Sequence, residues 1–281
     1  MGIVVADTKN FEELKSIFKK EGLDKIHVLA DFDRTLTKAF VNGKSVASLI
    51  SVLRDENYLT PDYPEKAKAL YEKYHAIEKD PSCPIEEKKT HMKNWWTEHF
   101  ELLIKSGLTK KDIEKAMEST NLSLREGAEE FLEILKNSKM PLVVLSSSGL
   151  GVESIGLFLE KRGLFFENIY IISNSFEWDN NGTAVSVKQP IIHGMNKNET
   201  SVKRFPAIFE QVKNRKNILL LGDSLNDAEM AEGFDYRNIL KIGFLNEDIE
   251  QNLSAYSSAF DAVLTGDSSL GPVNTILRQI G

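Results

Sequence analysis

Five short apolar runs, each ending in small or acidic residues, constrain this chain more than any other feature. Residues 26–31, 142–146, 169–173, 218–223 and 239–243 have strand character, and 261–264 offers a sixth. Helical patterns separate them. Asn10 with Glu13 resembles a capping box ahead of Phe11, Leu14 and Ile17, and Ser123 with Glu126 repeats the device ahead of Phe131, Leu132 and Leu135, before Pro141 closes that helix. Nearly continuous apolar strands alternating with helices predict an α/β fold whose parallel sheet is covered on both faces.

The alternation breaks between the first and second strands. Roughly residues 40–122 hold no convincing strand and read as helices. Pro64 opens one, with Ala67, Leu70, Tyr74 and Ile77 on one side. Pro84 opens a longer one, carrying Met92, Trp96, His99 and Leu103, that ends at Gly107, and Thr109 with Asp112 caps a third. This predicts a Rossmann-like core from 1–39 and 123–281 with a helical cap of 40–122 inserted into it. Asp179-Asn180-Asn181-Gly182 has the turn chemistry of a β-hairpin after the third strand.

The 281 residues are 41% hydrophobic and 27% charged, an ordinary balance for a globular protein. The longest apolar runs, such as 141–145 and 218–221, are far too short to span a bilayer, so no membrane association is expected. The first residues lack the basic start and long apolar stretch of a signal peptide. Gly2 invites a myristoylation reading, but Ala6 stands where that motif wants Ser or Thr. Cys83 is alone, which rules out an internal disulfide and suits the cytosol. There, glycosylation matches such as Asn121-Leu122-Ser123 are chance. The net charge is −7 and no Lys/Arg run stands out, so a nucleic-acid polymer is an unsuitable partner. A small phosphorylated ligand remains open, because a metal ion and one Lys can handle its charge. A monomer is the expected state.

Asp31-Phe32-Asp33-Arg34-Thr35 directly follows the first strand. Residues two apart on an extended exit face the same way, so Asp31 and Asp33 can aim at one spot beyond the sheet edge, where open parallel sheets bind ligands. Two adjacent carboxylates repel, and a divalent cation relieves them. In such a site Asp31 can attack phosphorus while Asp33 protonates the leaving oxygen and later deprotonates water, with Thr35 holding Asp33 in place. Gly222-Asp223-Ser224-Leu225-Asn226-Asp227 delivers two more carboxylates after the fourth strand. Asp223 suits a third Mg²⁺ ligand, and Asp227 a water-bridged one or an anchor for a cation. Ser146-Ser147-Ser148-Gly149, after the second strand, offers hydroxyls and free N–H groups to a phosphate, and Lys197 could neutralise the transferring phosphoryl group. Asp-x-Asp turns, serine-rich turns and single lysines are each common alone.

Their order is not common. An Asp-x-Asp-x-Thr, then Ser, then Lys, then Gly-Asp-x-x-x-Asp resembles the four-part signature of haloacid dehalogenase phosphatases. That resemblance implies that Asp31 is the nucleophile and Asp33 the acid/base, with its backbone carbonyl on Mg²⁺. It further implies that Asp223 completes the metal site and that Thr35, Ser147, Ser148 and Lys197 serve the phosphate. Most of the chain is similar, more narrowly, to the cytosolic pyrimidine 5′-nucleotidases, the type III class that includes enzymes acting on 7-methylguanosine monophosphate. The similarity rests on Tyr74-His75-Ala76-Ile77-Glu78-Lys79-Asp80-Pro81, Glu86-Glu87-Lys88, Met92-Lys93-Asn94-Trp95-Trp96 and Leu124-Arg125-Glu126-Gly127, together with Ser147-Ser148-Gly149-Leu150-Gly151, Ile192-His193-Gly194-Met195-Asn196-Lys197 and Leu240-Lys241-Ile242-Gly243-Phe244-Leu245-Asn246. It implies a nucleoside 5′-monophosphate substrate, with Glu78 hydrogen-bonding the base and phosphoryl transfer to a second nucleoside as a side reaction.

The chain departs from the family at two places. His99 stands where a small Ser is frequent and could narrow the base pocket, stack on the base or add a hydrogen bond, and Ser148 replaces a usual Ala. Trp95 and Trp96 could stack on a base, although paired aromatics on an amphipathic helix more often anchor a core. A zinc site is rejected: His91 and His99 lie about 12 Å apart along a helix, too far for one tetrahedral ion. Rival readings are a phosphatase for phosphoserine or a sugar phosphate, a non-catalytic nucleotide-binding protein, or a structural module.

Overall fold

Apolar strands with no polar face must be covered on both sides, and three adjacent strands are. Strands β2 (Ile26–Ala30), β5 (Leu142–Leu145) and β9 (Asn217–Gly222) are buried throughout. In this computed structural model, which describes residues 2–46, 48–80, 82–200 and 202–281, they lie side by side within a seven-stranded sheet. Its order is β1-β11-β10-β9-β2-β5-β6, with β1 (Ile3–Val5), β6 (Ile169–Ile172), β10 (Asn238–Leu245) and β11 (Ala262–Thr265). All neighbours run parallel except β1, which is antiparallel to β11. Side chains alternate between two apolar layers, as the pleat requires. Val28, Val144 and Leu219 enter one cluster; Leu29, Val143 and Leu220 enter the other.

Helices α1 (Thr8–Glu21), α6 (Ala128–Asn137), α7 (Gly151–Glu160) and α10 (Gly271–Ile280) contribute Phe18, Phe131, Phe158 and Val273 to the first layer. Helix α8 (Pro206–Val212) brings Ile208 to the second, and α9 (Ile249–Ala259) packs partly buried residues there. Two predicted caps are displaced. Asp7, not Asn10, caps α1, because its Oδ1 takes the N–H groups of Lys9 and Asn10 at 2.9 and 3.1 Å. Gly127, at a left-handed φ of 80°, starts α6 in place of Ser123, whose carbonyl instead accepts Lys38 N–H at 3.0 Å.

Between β2 and β5 the chain forms α2 (Leu49–Asp55), α3 (Tyr63–Lys79), α4 (Ile85–Lys105) and α5 (Lys110–Ala116). The last three match the expected helices, and the Thr109–Asp112 capping box is present. Pro81, in the quoted α3–α4 motif, and Met1 lie outside the described residues. The expectation of no strand in this stretch is corrected by a small hairpin, β3 (Phe40–Val41) and β4 (Lys44–Ser45), turning through Asn42 and Gly43 at φ 52° and 74°. Chain entry and exit run side by side: Thr37 bridges Leu124, and Arg125 N–H donates to Leu36 O at 2.9 Å. The second predicted hairpin is β7 (Phe176–Trp178) and β8 (Ala184–Val187), with Asp179 Oδ1 accepting two N–H groups across the turn. It is tied to the inserted helices by Lys110 N–H to Gly182 O and Ala184 N–H to Leu108 O, both 2.9 Å, and by Phe100 meeting Phe176 edge-on at 5.5 Å.

Candidate active site

Register decides what meets at the sheet edge. Ala30 pairs with Leu221 on one side and Val144 on the other, so β2, β9 and β5 end level. Asp31 therefore emerges between Asp223 and Ser146-Ser147, its N–H held by Leu221 O at 3.0 Å. Lys197, from a 3-10 turn far along the chain, joins them. Its Nζ lies 2.5 Å from Asp31 Oδ1 and 2.7 Å from Asp227 Oδ1, and all three residues are buried. Asp227 Oδ2 accepts from Asp223 N, Ser224 N and Ser224 Oγ at 3.2, 3.0 and 2.9 Å. Both of its oxygens are thus engaged, and its clearest work is to hold Lys197 against Asp31. Gly222 makes this possible, because a Cβ there would collide with that of Asp227.

Carboxylate oxygens of Asp31, Asp223 and Asp227 lie within 4.8 Å of one another, the one such cluster among the described residues. Burial raises Asp31 to about 6 despite Lys197, and Asp227 adds to the rise. Burial with Asp31 and Asp227 pushes Asp223 well above the usual carboxylate range, Arg34 at 3.7 Å opposing. Burial disfavours charge on Lys197, yet Asp227 and Asp31 outweigh it and hold the ammonium above its usual range. Crowded carboxylates of raised proton affinity are what a hard divalent cation relieves, so the donor set fits one.

Asp33 is turned toward the inserted helices. Its Oδ1 accepts Leu49 N–H, at the start of α2, at 2.9 Å. Burial, and then Asp31, raise it to about 7. Arg34 follows at a left-handed φ of 61°. Thr35 is fully buried with its Oγ1 unpartnered, so its hydroxyl makes no hydrogen bond to Asp33. The loop is pinned instead by Thr37, whose Oγ1 accepts Arg34 N–H at 2.8 Å. Ser147 is half-buried beside Asp31, whereas the Ser148 hydroxyl is spent internally on Leu150 N–H at 3.3 Å. Asn174, which carried no signal in the sequence, donates to Ser148 O and Ile192 O at 3.2 and 2.9 Å, joining the serine loop to the segment before Lys197.

A cavity of about 540 Å³ opens between α2, α3 and α4, lined by Ser48, Arg54, Tyr71, Trp95, Trp96 and His99. His99 Nε2 is paired with the Tyr63 hydroxyl at 3.1 Å, its ring lies 5.9 Å from Trp96 at 20°, and burial lowers its pKa to about 4. Glu78 stands outside this lining, with Oε2 at 3.1 Å from His75 Nδ1. Arg54 was not foreseen, since a lone Arg on a helix carries no pattern. Trp96 and Ile50 close against Gly149, where a Cβ would approach each within 2.6 Å.

The fold is that of the haloacid dehalogenase phosphatases: a substrate-bound phosphoserine phosphatase superposes with a TM-score of 0.53 over 89% of this chain and 97% of that one, at 19% identity. Crystalline cytosolic 5′-nucleotidase IIIB bound to cytidine superposes with a TM-score of 0.87 at 29% identity, covering 99% and 93%. Residues 34–281 match the pyrimidine 5′-nucleotidase family, UMPH-1. The 7-methylguanosine phosphate-specific 5′-nucleotidase of Gallus gallus is 36% identical over 263 residues, 93% of this chain and 90% of that protein. The Homo sapiens protein of the same name is 33% identical over 270, or 96% and 89%. The chain belongs to the pyrimidine 5′-nucleotidase family and is a phosphoric monoester hydrolase of the 5′-nucleotidase type.

Proposed function

We propose that the chain hydrolyses nucleoside 5′-monophosphates with a pyrimidine or 7-methylguanine base through an aspartyl-phosphate on Asp31. The observation that carries this reading is the buried contact of Asp31 with Lys197, backed by Asp227 and flanked by Asp223. Mg²⁺ would be held by Asp31, Asp223 and the Asp33 backbone carbonyl, and when bound it supplies charge neutralisation at the phosphoryl oxygens. Asp31 attacks phosphorus while Lys197 and Ser147 hold the equatorial oxygens. Asp33, with Oδ1 engaged by Leu49, carries a proton to the departing 5′-oxygen and later takes one from water; a pKa of about 7 suits both duties. Residues 40–122 act as the cap over this centre. The aromatic cavity receives the base, and tryptophan faces suit a cationic methylated purine. Glu78 reaches the base by leaving His75. A second nucleoside can intercept the phospho-enzyme in place of water. The protein works as a cytosolic monomer, without nucleic-acid polymer or membrane.

Asp31→Asn tests the mechanism. It should bind nucleotide yet turn it over at least about a hundredfold more slowly, as expected for a lost nucleophile. Near-normal turnover would remove the assignment. Side-by-side assay of UMP, CMP, 7-methyl-GMP, phosphoserine and glucose phosphates tests the substrate class, which fails if only a non-nucleotide ester is turned over.

A further inference from the structure

Arg125 lies outside the catalytic cluster, yet it is 2% exposed and its guanidinium makes four hydrogen bonds and one ion pair. Nε donates to Thr35 O at 2.7 Å; Nη1 donates to Ser268 O at 2.7 Å and pairs with Asp267 Oδ1 at 3.2 Å. Nη2 donates to Arg34 O and, at 3.0 Å, to Asn246 Oδ1. Asn246 Nδ2 reaches the same Arg34 carbonyl at 3.1 Å, and Asp267 takes Ala39 N–H at 3.0 Å. The guanidinium rests 4.4 Å from the Phe244 ring centre. It therefore gathers the loops that follow β2, β10 and β11 around two consecutive carbonyls, those of Arg34 and Thr35.

The residue so gripped is the one after Asp33, and it sits in the left-handed region, which a non-glycine residue keeps only where its surroundings over-determine it. We propose that Arg125 is a positioning residue for Asp33: by fixing the Arg34 and Thr35 carbonyls it sets the turn that aims the Asp33 carboxyl at the leaving oxygen. This rests on the acid/base role given to Asp33 above. Lysine keeps the charge but cannot present five coplanar donors, so Arg125→Lys loosens the turn without emptying the site of cation.

The test uses leaving groups. A nucleoside alkoxide must receive the Asp33 proton as the P–O bond breaks, whereas 4-nitrophenolate departs without one. In Arg125→Lys, kcat/KM for CMP or 7-methyl-GMP should fall about thirtyfold or more, a part of the roughly 10²–10⁴-fold that a general acid contributes, and for 4-nitrophenyl phosphate by less than about threefold. A merely structural role lowers both alike. Equal losses, or none, in a variant that melts cooperatively overturn the proposal. Asn246→Ala removes the other donor from the Arg34 carbonyl and is read the same way should Arg125→Lys not fold. Asp33→Asn, run in parallel, should show the same asymmetry more strongly. If it shows none, the acid/base reading falls and this inference with it; asymmetry there but not in the other two variants overturns only the inference.

Discussion

In the mechanism proposed above Lys197 must stay charged and pointed, and Asp227 holds it in both respects. Asp227→Asn should leave the shape nearly intact while removing the charge that raises the Lys197 pKa. The alkaline limb of the kcat–pH profile then moves to lower pH and kcat falls about tenfold or more, as for one lost electrostatic partner in a buried site. An unmoved limb would argue that Asp31 alone sets the lysine. Gly222→Ala attacks the same arrangement by bulk, displacing Asp227 at its Cβ. Overpacking of that kind costs about 1–3 kcal/mol, measurable as a shift in urea midpoint, and kcat should drop with it. Asp31, Asp33 and Asp223 stood out in the sequence because each follows a recognisable strand, and Lys197 only because it falls between the serine turn and Gly222-Asp223 in the order of the motifs. Arg125, Asn174 and Asn246 were not given roles, because their partners are largely backbone carbonyls, which every residue possesses and no pattern marks.

Helices α2 and α4 meet the serine loop where Gly149 leaves no room. Gly149→Ala should hold Ile50 and Trp96 away, raising KM for nucleotides several-fold while sparing the thermal midpoint; unchanged KM would mean that the loop and helices separate freely on binding. The long elements of this stretch were readable: Pro64 and Pro84 mark the starts of α3 and α4, and Thr109 with Asp112 caps α5. Helix α2 was not singled out because it spans only seven residues and its first five, Leu49 to Leu53, are all buried, too short a run to show a helical period. The Asn42-Gly43 hairpin carries an explicit turn signal, but its two-residue strands are too short to alternate. The caps of α1 and α6 were misplaced by a few residues because several Asx, Ser and Gly candidates lie close together, and tertiary bonds choose among them.

The buried imidazoles of His27 and His99 and the acidic cluster give the molecule opposing responses to pH. Burial lowers His27 and His99 to about 4, against 6.5 in an unfolded chain. Their contribution to stability is full above pH 6.5 and lost as pH falls from there toward 4, so the thermal midpoint should decline across that window, and His27→Leu should flatten the slope. Asp33, raised to about 7, has the reverse sign: it gains protons more readily when folded, so neutral pH burdens the cluster and acid relieves it. Mg²⁺ should therefore raise the melting temperature more at pH 7.5 than at pH 5.5, in scans with and without chelator. An equal rise at both would separate the cation site from these carboxylates.

The β7–β8 hairpin adds a consequence for traffic. Its bonds to Leu108 and Lys110, with Phe176 wedged on Phe100, anchor the far end of the helical insertion to the body. A visiting nucleotide then finds a doorway with one fixed jamb, and passage depends on the opposite post, α2 and the start of α3. Amide hydrogen exchange should run faster over residues 49–70 than over 100–116, and nucleotide binding should slow it chiefly in the former.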